Sequence, residues 1–248
     1  NKDFKKPFKI LHFGFEMTAY DEVIRAVSSK TKSSYRSILS VDEILPEAIY
    51  KETLMYLDKF KNFEIYYVES TGNVNQIEQT ILDFQAKFPQ HLIVIGLDHT
   101  LLTEYKSESN EIELVSNISK MMLGVRKKIG SMGLQISQLN ADIEEIERIN
   151  NPAHHYPKKK DLHGSKAIFQ CADNVIILHA PEKLGIQRYG LQKMSDNSTG
   201  YPTEGLIAWH LIKARKGVPG LIRLKDELGQ GNIAEWTPMD DKRVGIRF

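Results

Sequence analysis

The stretch HLIVIGL at 91–97 constrains the fold more than any other part of the chain. It is almost continuous in aliphatic residues, too short to be a long helix, and followed by Asp98, the pattern of a central strand buried on both faces of a parallel sheet. Similar short runs recur at KILHFGF (9–15), FEIYYV (63–68) and LQIS (134–137), with NVIIL (174–178) following. Longer segments with helical spacing separate them. Thr18 suits the cap of a helix containing Val23, Ile24 and Val27, and Asn110 the cap of one running through Leu114, Ile118, Met121 and Met122. Alternation of this kind specifies an α/β fold with a mostly parallel sheet and crossover helices. After residue 200, GLIAWHLIKAR, GLIRLKDEL and NIAEW read as short strands separated by Gly and Pro, an antiparallel extension of the sheet.

Composition narrows the functional classes. At 248 residues, 41% hydrophobic and 26% charged, the chain can bury a sizeable core. The net charge of +1 leaves any nucleic-acid binding to local clusters of cations. One cysteine, Cys171, excludes an internal disulfide framework and fits a reducing compartment such as the cytoplasm. No apolar run approaches the roughly 20 residues that a bilayer requires, and the polar start NKDFKKPFK is not a signal peptide.

Two segments read as long loops. EEIERINNPAHHYPKKKDLHGSK (144–166) holds prolines, a lysine triplet and His154, His155 and His163, whose spacing matches no standard zinc pattern. The Gly-rich, polar 180–205 segment is the second, with no role assigned. Met121, Met122 and Met132 read as core filler and Cys171 as structural.

Ligands of open α/β sheets gather at the carboxyl ends of the strands, and Glu16 and Asp98 both stand at such ends. Paired carboxylates there can divide phosphate-ester hydrolysis between them, one holding Mg²⁺ through water and one orienting the attacking water. The plainer reading is that each marks a strand end, with Glu16 favoured by the dipole of the following helix.

Five motifs taken together resemble the DnaB-like hexameric replicative helicases, including the helicase halves of phage primase-helicases: FGFEMTAYDEVIRAVSSKT, LIVIGLDHTLL, GLQISQLNAD (133–142), DLHGSKAIFQCADNVIIL (161–178) and IKARKGVPG (212–220). They occur in the family's order, over about residues 8–236. The resemblance implies a RecA-like motor domain over 1–248, bound to ATP and Mg²⁺ and acting as a homo-hexamer around single-stranded DNA with 5′ to 3′ unwinding. A primase and a helicase loader are the implied protein partners.

By position, Glu16 falls on the family's catalytic glutamate, Asp98 on the aspartate that holds Mg²⁺ through water, and His99 on the residue beside it. Gln138 falls on the γ-phosphate sensor, and Gln170 would couple that phosphate to the segment beginning at Asp161. Arg215 falls on an arginine finger donated to a neighbouring subunit, with Lys213 as companion; a planar guanidinium suits charge spread over phosphoryl oxygens. Lys158, Lys159 and Lys160 lie where the family places a channel loop that contacts DNA, with His163 and Lys166 replacing the usual arginine and glycine nearby. Singly, each has an ordinary reading: polar residues at element ends, edge-strand charges that discourage aggregation, a solvated lysine loop.

No G-x-x-x-x-G-K-[ST] phosphate loop occurs in these residues, so the resemblance implies that the corresponding strand, loop and helix lie upstream. Two competing functions remain: a RecA- or RadA-like recombinase ATPase, and a non-hydrolysing DNA-binding or assembly subunit.

Overall fold

A computed structural model describes residues 7–41, 44–106, 108–194 and 196–237. Contacts divide the chain into two compact units, one comprising 1–138 with 163–172 and the other 139–162 with 173–248.

The first unit is built on four parallel strands, β1 (Phe8–Gly14), β2 (Ile65–Val68), β3 (Leu92–Asp98) and β4 (Met132–Gln135), in the order β2-β1-β3-β4. Helices α1 (Ala19–Thr31), α2 (Tyr35–Ile38) and α3 (Glu47–Phe60) follow β1, α4 (Val74–Lys87) follows β2 and α5 (Glu111–Ile129) follows β3. Period-two burial puts Leu11 and Phe13 of β1 and Ile93, Ile95 and Leu97 of β3 into one core, packed by Ile77 and Ile81 of α4 and Leu114, Ile118 and Val125 of α5. The alternate β3 residues Leu92 and Val94 are only half-buried, so the aliphatic run is buried chiefly on one face, not equally on two. Helices α1 to α3 close a smaller cluster around Ile24, Val27 and Ile38.

The expected caps form: Thr18 Oγ accepts from the Asp21 N–H, and Asn110 Oδ1 from the Glu113 N–H. The strand expected at 134–137 begins and ends earlier, at Met132–Gln135, so Met132 is 60% exposed on an edge strand and does not fill the core. Helix α6 (Ile146–Asn150) belongs to the second unit, whereas α7 (Ser165–Cys171) packs on α5 in the first.

The second unit holds an antiparallel sheet of β5 (Asn174–His179), β8 (Leu206–Ala214), β9 (Gly220–Glu227) and β10 (Asn232–Glu235), ordered β10-β9-β8-β5. NVIIL is thus an antiparallel partner of β8 and not a further parallel strand. The 180–205 segment is not a loop: β6 (Arg188–Lys193) and β7 (Thr199–Pro202) make a hairpin. Tyr189 on β6 is fully buried and shares a core with Ile186, Leu206, Ala208 and Trp236.

Three histidines surround that tyrosine. The Tyr189 hydroxyl lies 2.8 Å from His179 Nδ1 and 2.8 Å from His210 Nε2, and donates to the His155 carbonyl at 3.3 Å. With its one proton so used, both imidazoles donate to the phenol oxygen, His179 as the Nδ1–H tautomer and His210 as the Nε2–H tautomer. Burial, then the charge that His210 would carry, pushes His179 down to about 4; burial alone takes His210 to about 4. Burial likewise pushes the Tyr189 hydroxyl far above its ordinary range.

Candidate functional site

Strand pairing brings the two strand-end carboxylates together. Gly14 is in register with Asp98, and the Phe15 N–H donates to the Asp98 carbonyl at 2.8 Å, so Glu16 and Asp98 leave adjacent parallel strands at the same end. Glu16 points to solvent, its side chain 60% exposed, and Asp98 is half-buried. His99 is buried beneath them: its Nδ1 accepts the Leu101 N–H at 3.3 Å, leaving Nε2, the proton-bearing nitrogen of that tautomer, 3.8 Å from Glu16 Oε2. The Asp98–His99 peptide is cis.

The segment after Asp98 is tied to β4. Thr100, fully buried, donates its hydroxyl to the Ile136 carbonyl at 2.6 Å and its N–H to the same oxygen at 3.1 Å. Gln135, the last residue of β4, donates its amide to Thr100 Oγ1 at 3.4 Å and accepts from Ser119 Oγ at 3.3 Å. Gln135 is therefore the polar strand-end residue wired to the Asp98 segment, a link that sequence reading missed by extending the strand to 137. Gln138 lies three residues beyond the strand and is exposed, with its carbonyl accepting the His163 N–H at 3.3 Å.

His163 Nε2 lies 3.1 Å from Glu111 Oε2 at the start of α5, within ion-pair distance but without hydrogen-bond alignment. Gly164, at φ +66, follows it, and a Cβ there would approach Val115 of α5 to 2.7 Å, which explains a glycine at this crossing. Lys166 and Gln170 are exposed on α7. Glu16, Asp98, His99, Gln138, His163, Lys166 and Gln170 all belong to the first unit.

The lysine triplet and the arginine pair belong to the second. Lys158, Lys159 and Lys160 are exposed on a 3-10 turn held by a buried ion pair, in which both terminal nitrogens of Arg148 reach Asp161, each at 2.7 Å. Asp161 also accepts the Lys158 N–H at 2.5 Å, and Asn140 donates to the Lys160 carbonyl at 2.8 Å. Burial acts to raise the Asp161 carboxyl, but the Arg148 and Lys158 hydrogen bonds outweigh it and hold the group below its ordinary value. The segment is therefore not an unstructured loop. Arg148 signals itself in the sequence only as the cation of EEIERIN, thirteen residues before the acid it pairs with. A cleft of about 330 Å³ beside the triplet is lined by Glu145, Glu147, Arg148, His154, Lys158 and Lys160.

Lys213 is half-buried near the end of β8, paired with Val175, and Arg215 is exposed just after that strand. Arg215 Nε lies 2.8 Å from Asp173 Oδ1. At 47% side-chain exposure this ion pair contributes about 0–1 kcal/mol, too little to prevent the guanidinium from leaving for another anion.

Among the described residues no group of three or more His, Cys, Asp or Glu could hold a metal ion, and no helix is long and apolar enough to cross a membrane. The donor set at Glu16 and Asp98 nonetheless fits Mg²⁺, which takes one or two carboxylates and completes its shell with water and substrate phosphate.

A family model described as the DnaB-like helicase C terminal domain matches residues 1–228. Among solved structures, the chain is similar to one described as an ATPase domain, at TM-score 0.75 and 17% identity over 93% of this chain and 75% of that one. It is also similar to "The Structure Of A DnaB-Like Replicative Helicase And Its Interactions With Primase", at TM-score 0.75 and 18% identity over 93% of this chain. It spans 51% of that second chain. No curated protein sequence matches it.

Proposed function

The chain belongs to the DnaB-like helicase C-terminal domain family, and from that premise we propose that it is the ATP-hydrolysing motor domain of a replicative DNA helicase. The observation that carries the proposal is the juxtaposition of Glu16 and Asp98 at neighbouring strand ends, with buried His99 facing the Glu16 carboxylate. One exposed carboxylate is free to orient a water, and the second is placed to hold a hydrated cation.

Bound Mg²⁺ would neutralise charge on the phosphates of ATP. Glu16 would orient the attacking water and draw off its proton; Asp98 would hold the cation through water; His99 would limit where the Glu16 carboxylate lies. Gln135 ties the Asp98 segment to β4, and Gln138 and Gln170 would carry a change at the γ-phosphate towards the residues around His163. Arg215, with Lys213, would act on the nucleotide of a neighbouring subunit in a homo-hexamer. Lys158, Lys159, Lys160, His163 and Lys166 would contact single-stranded DNA in the central channel, with unwinding from 5′ to 3′. A primase is the partner supported by a structural neighbour, a replicative helicase described with its interactions with primase; a loader is a second expected partner.

The residues present suit the water-activating and metal-holding side of an ATP site. The phosphate cradle has no counterpart among these 248 residues, and we assign it to another segment of the same protein. Edge strand β4 and the residue that follows it support this, because they expose Met132, Leu134 and Ile136 at 60%, 58% and 42%. A strand added at that edge with its following helix would bury such a row.

The test is ATP hydrolysis by the full-length protein containing this chain, with and without single-stranded DNA, beside Glu16→Gln. DNA-stimulated turnover that disappears in the variant is the expected result. Turnover that survives in Glu16→Gln, or is absent from both proteins, overturns the proposal.

A further inference from the structure

The Glu16 side chain is exposed while the backbone that carries it is tied down on both sides. His12 of β1 and Glu22 in the first turn of α1 meet at 2.7 Å, His12 Nε2 to Glu22 Oε1, closing the strand-to-helix turn that carries Glu16. Both side chains are partly buried, and the His12 ring stands edge-on to Tyr67 of β2 with centroids 5.6 Å apart.

Two glycines make room for the pair. Gly96 lies directly opposite His12 on β3, and a Cβ there would come within 2.6 Å of His12 Nδ1. A Cβ on Gly14 would sit 3.0 Å from Glu22 Oε1 and 3.2 Å from the Met17 carbonyl.

Inside the closed turn, backbone donors are anchored to the neighbouring strands. The Phe15 N–H is held by the Asp98 carbonyl, and the Ala19 N–H donates to Glu69 Oε1 at 2.6 Å, just past the end of β2. Thr18 and Asp21 cap one another, and the Tyr35 hydroxyl donates to Asp21 Oδ1 at 2.6 Å. By contrast, the partner resolved for the Glu16 carboxylate is His99 at 3.8 Å.

We propose that His12 and Glu22 are positioning residues that latch the Glu16 turn, fixing where its carboxylate can place a water. The inference rests on Glu16 being the hydrolytic carboxylate. It adds two residues whose part is played through the turn they close. Small displacements of a group that positions a reactant can cost up to about a hundredfold in rate.

The experiment exploits the geometry of the histidine. A glutamine amide reaches the place of Nε2, whereas an asparagine amide reaches only the place of Nδ1. In the full-length protein, His12→Gln should therefore keep turnover within about twofold, while His12→Asn and Glu22→Ala each lose about tenfold in kcat with KM for ATP unchanged. Hydrogen exchange supplies a readout that needs no activity: the Phe15 and Ala19 amides should exchange about fivefold faster in His12→Asn and at the parent rate in His12→Gln. Equal behaviour of the two His12 variants in both measurements overturns the latch, as does a loss that appears in KM alone. Glu16→Gln in the same series separates the two levels: if it retains turnover the proposed function itself fails, and if it is inactive while His12→Asn and Glu22→Ala are normal only the latch fails.

Discussion

Acidification should destabilise the second unit progressively from about pH 6.5 towards pH 4. His179 and His210 are buried against the Tyr189 hydroxyl, and each falls from an ordinary 6.5 to about 4 in the fold. A depressed pKa means that the unfolded chain binds more protons between those two values, so the stabilisation is complete above about pH 6.5 and is lost as pH falls towards 4. At 1.36 kcal/mol per unit each histidine contributes about 3 kcal/mol; because the His179 shift includes its repulsion by a charged His210, the two do not simply add, and together they contribute about 3–6 kcal/mol, a large share of the ordinary stability of a domain. The groups around them are Arg148, Asp161, His155 and Tyr156. Asp161 is held below the ordinary carboxylate value and titrates below this window. The assay is urea unfolding followed by tryptophan fluorescence at intervals from pH 7.5 to 4.5, because Trp209 and Trp236, the two tryptophans of the chain, both lie in this unit. In His179→Asn/His210→Gln the amides can donate to the same phenol oxygen without titrating. The slope of stability against pH should be steep in the parent and nearly flat in that variant. A parent slope near zero across pH 6.5 to 4.5, or an equal slope in the variant, would refute the reasoning.

Other expectations follow from single contacts. Arg148→Met leaves the Asp161 carboxylate buried without its bidentate partner and should destabilise this unit by about 3–5 kcal/mol in the same unfolding assay. Arg148→Met/Asp161→Leu, which removes both charges, should recover much of that loss. Arg215→Ala should abolish ATP turnover in the full-length protein while leaving nucleotide binding intact, since only the weak Asp173 pair is lost within the subunit; a parallel loss of binding contradicts the finger assignment. Replacing Lys158, Lys159 and Lys160 by Gln should weaken single-stranded DNA binding and reduce the log–log salt slope by about 2, measured by fluorescence anisotropy; an unchanged slope moves the contact elsewhere.

The first unit was legible in the sequence because its information is local. The strands at 9–15, 63–68 and 91–97, the Thr18 and Asn110 caps and the adjacency of Glu16 and Asp98 follow from periodicity, capping chemistry and the preference of sequential α/β elements to neighbour one another. Where local signals run out, the reading slips: LQIS keeps its apolar–polar alternation to Ser137, so nothing in it marks the strand stop at Gln135, and the Gln135–Thr100 link depends on which residue of a neighbouring strand lies alongside.

The second unit hides its organisation for a different reason. A Gly-rich, polar segment such as 180–205 carries no amphipathic pattern, yet one buried side chain, Tyr189, with partners at 155, 179 and 210, fixes its hairpin. Nothing in the sequence around any of those partners marks it as part of a cluster, and only the fold brings them together. The same holds for Arg148 and Asp161, which convert a run of histidines, prolines and lysines into a braced turn with three exposed cations. A turn that presents three cations to solvent needs a brace to keep its shape. Its determinants therefore divide into exposed lysines, which sequence reading finds, and a buried counter-charged brace that becomes recognisable only when chain-distant groups are brought within hydrogen-bond distance. On this reasoning the hairpin and the lysine turn are stabilised by one connected set of polar contacts, because His155 reaches Tyr189 on one side and the Arg148 guanidinium holds the His154 carbonyl on the other.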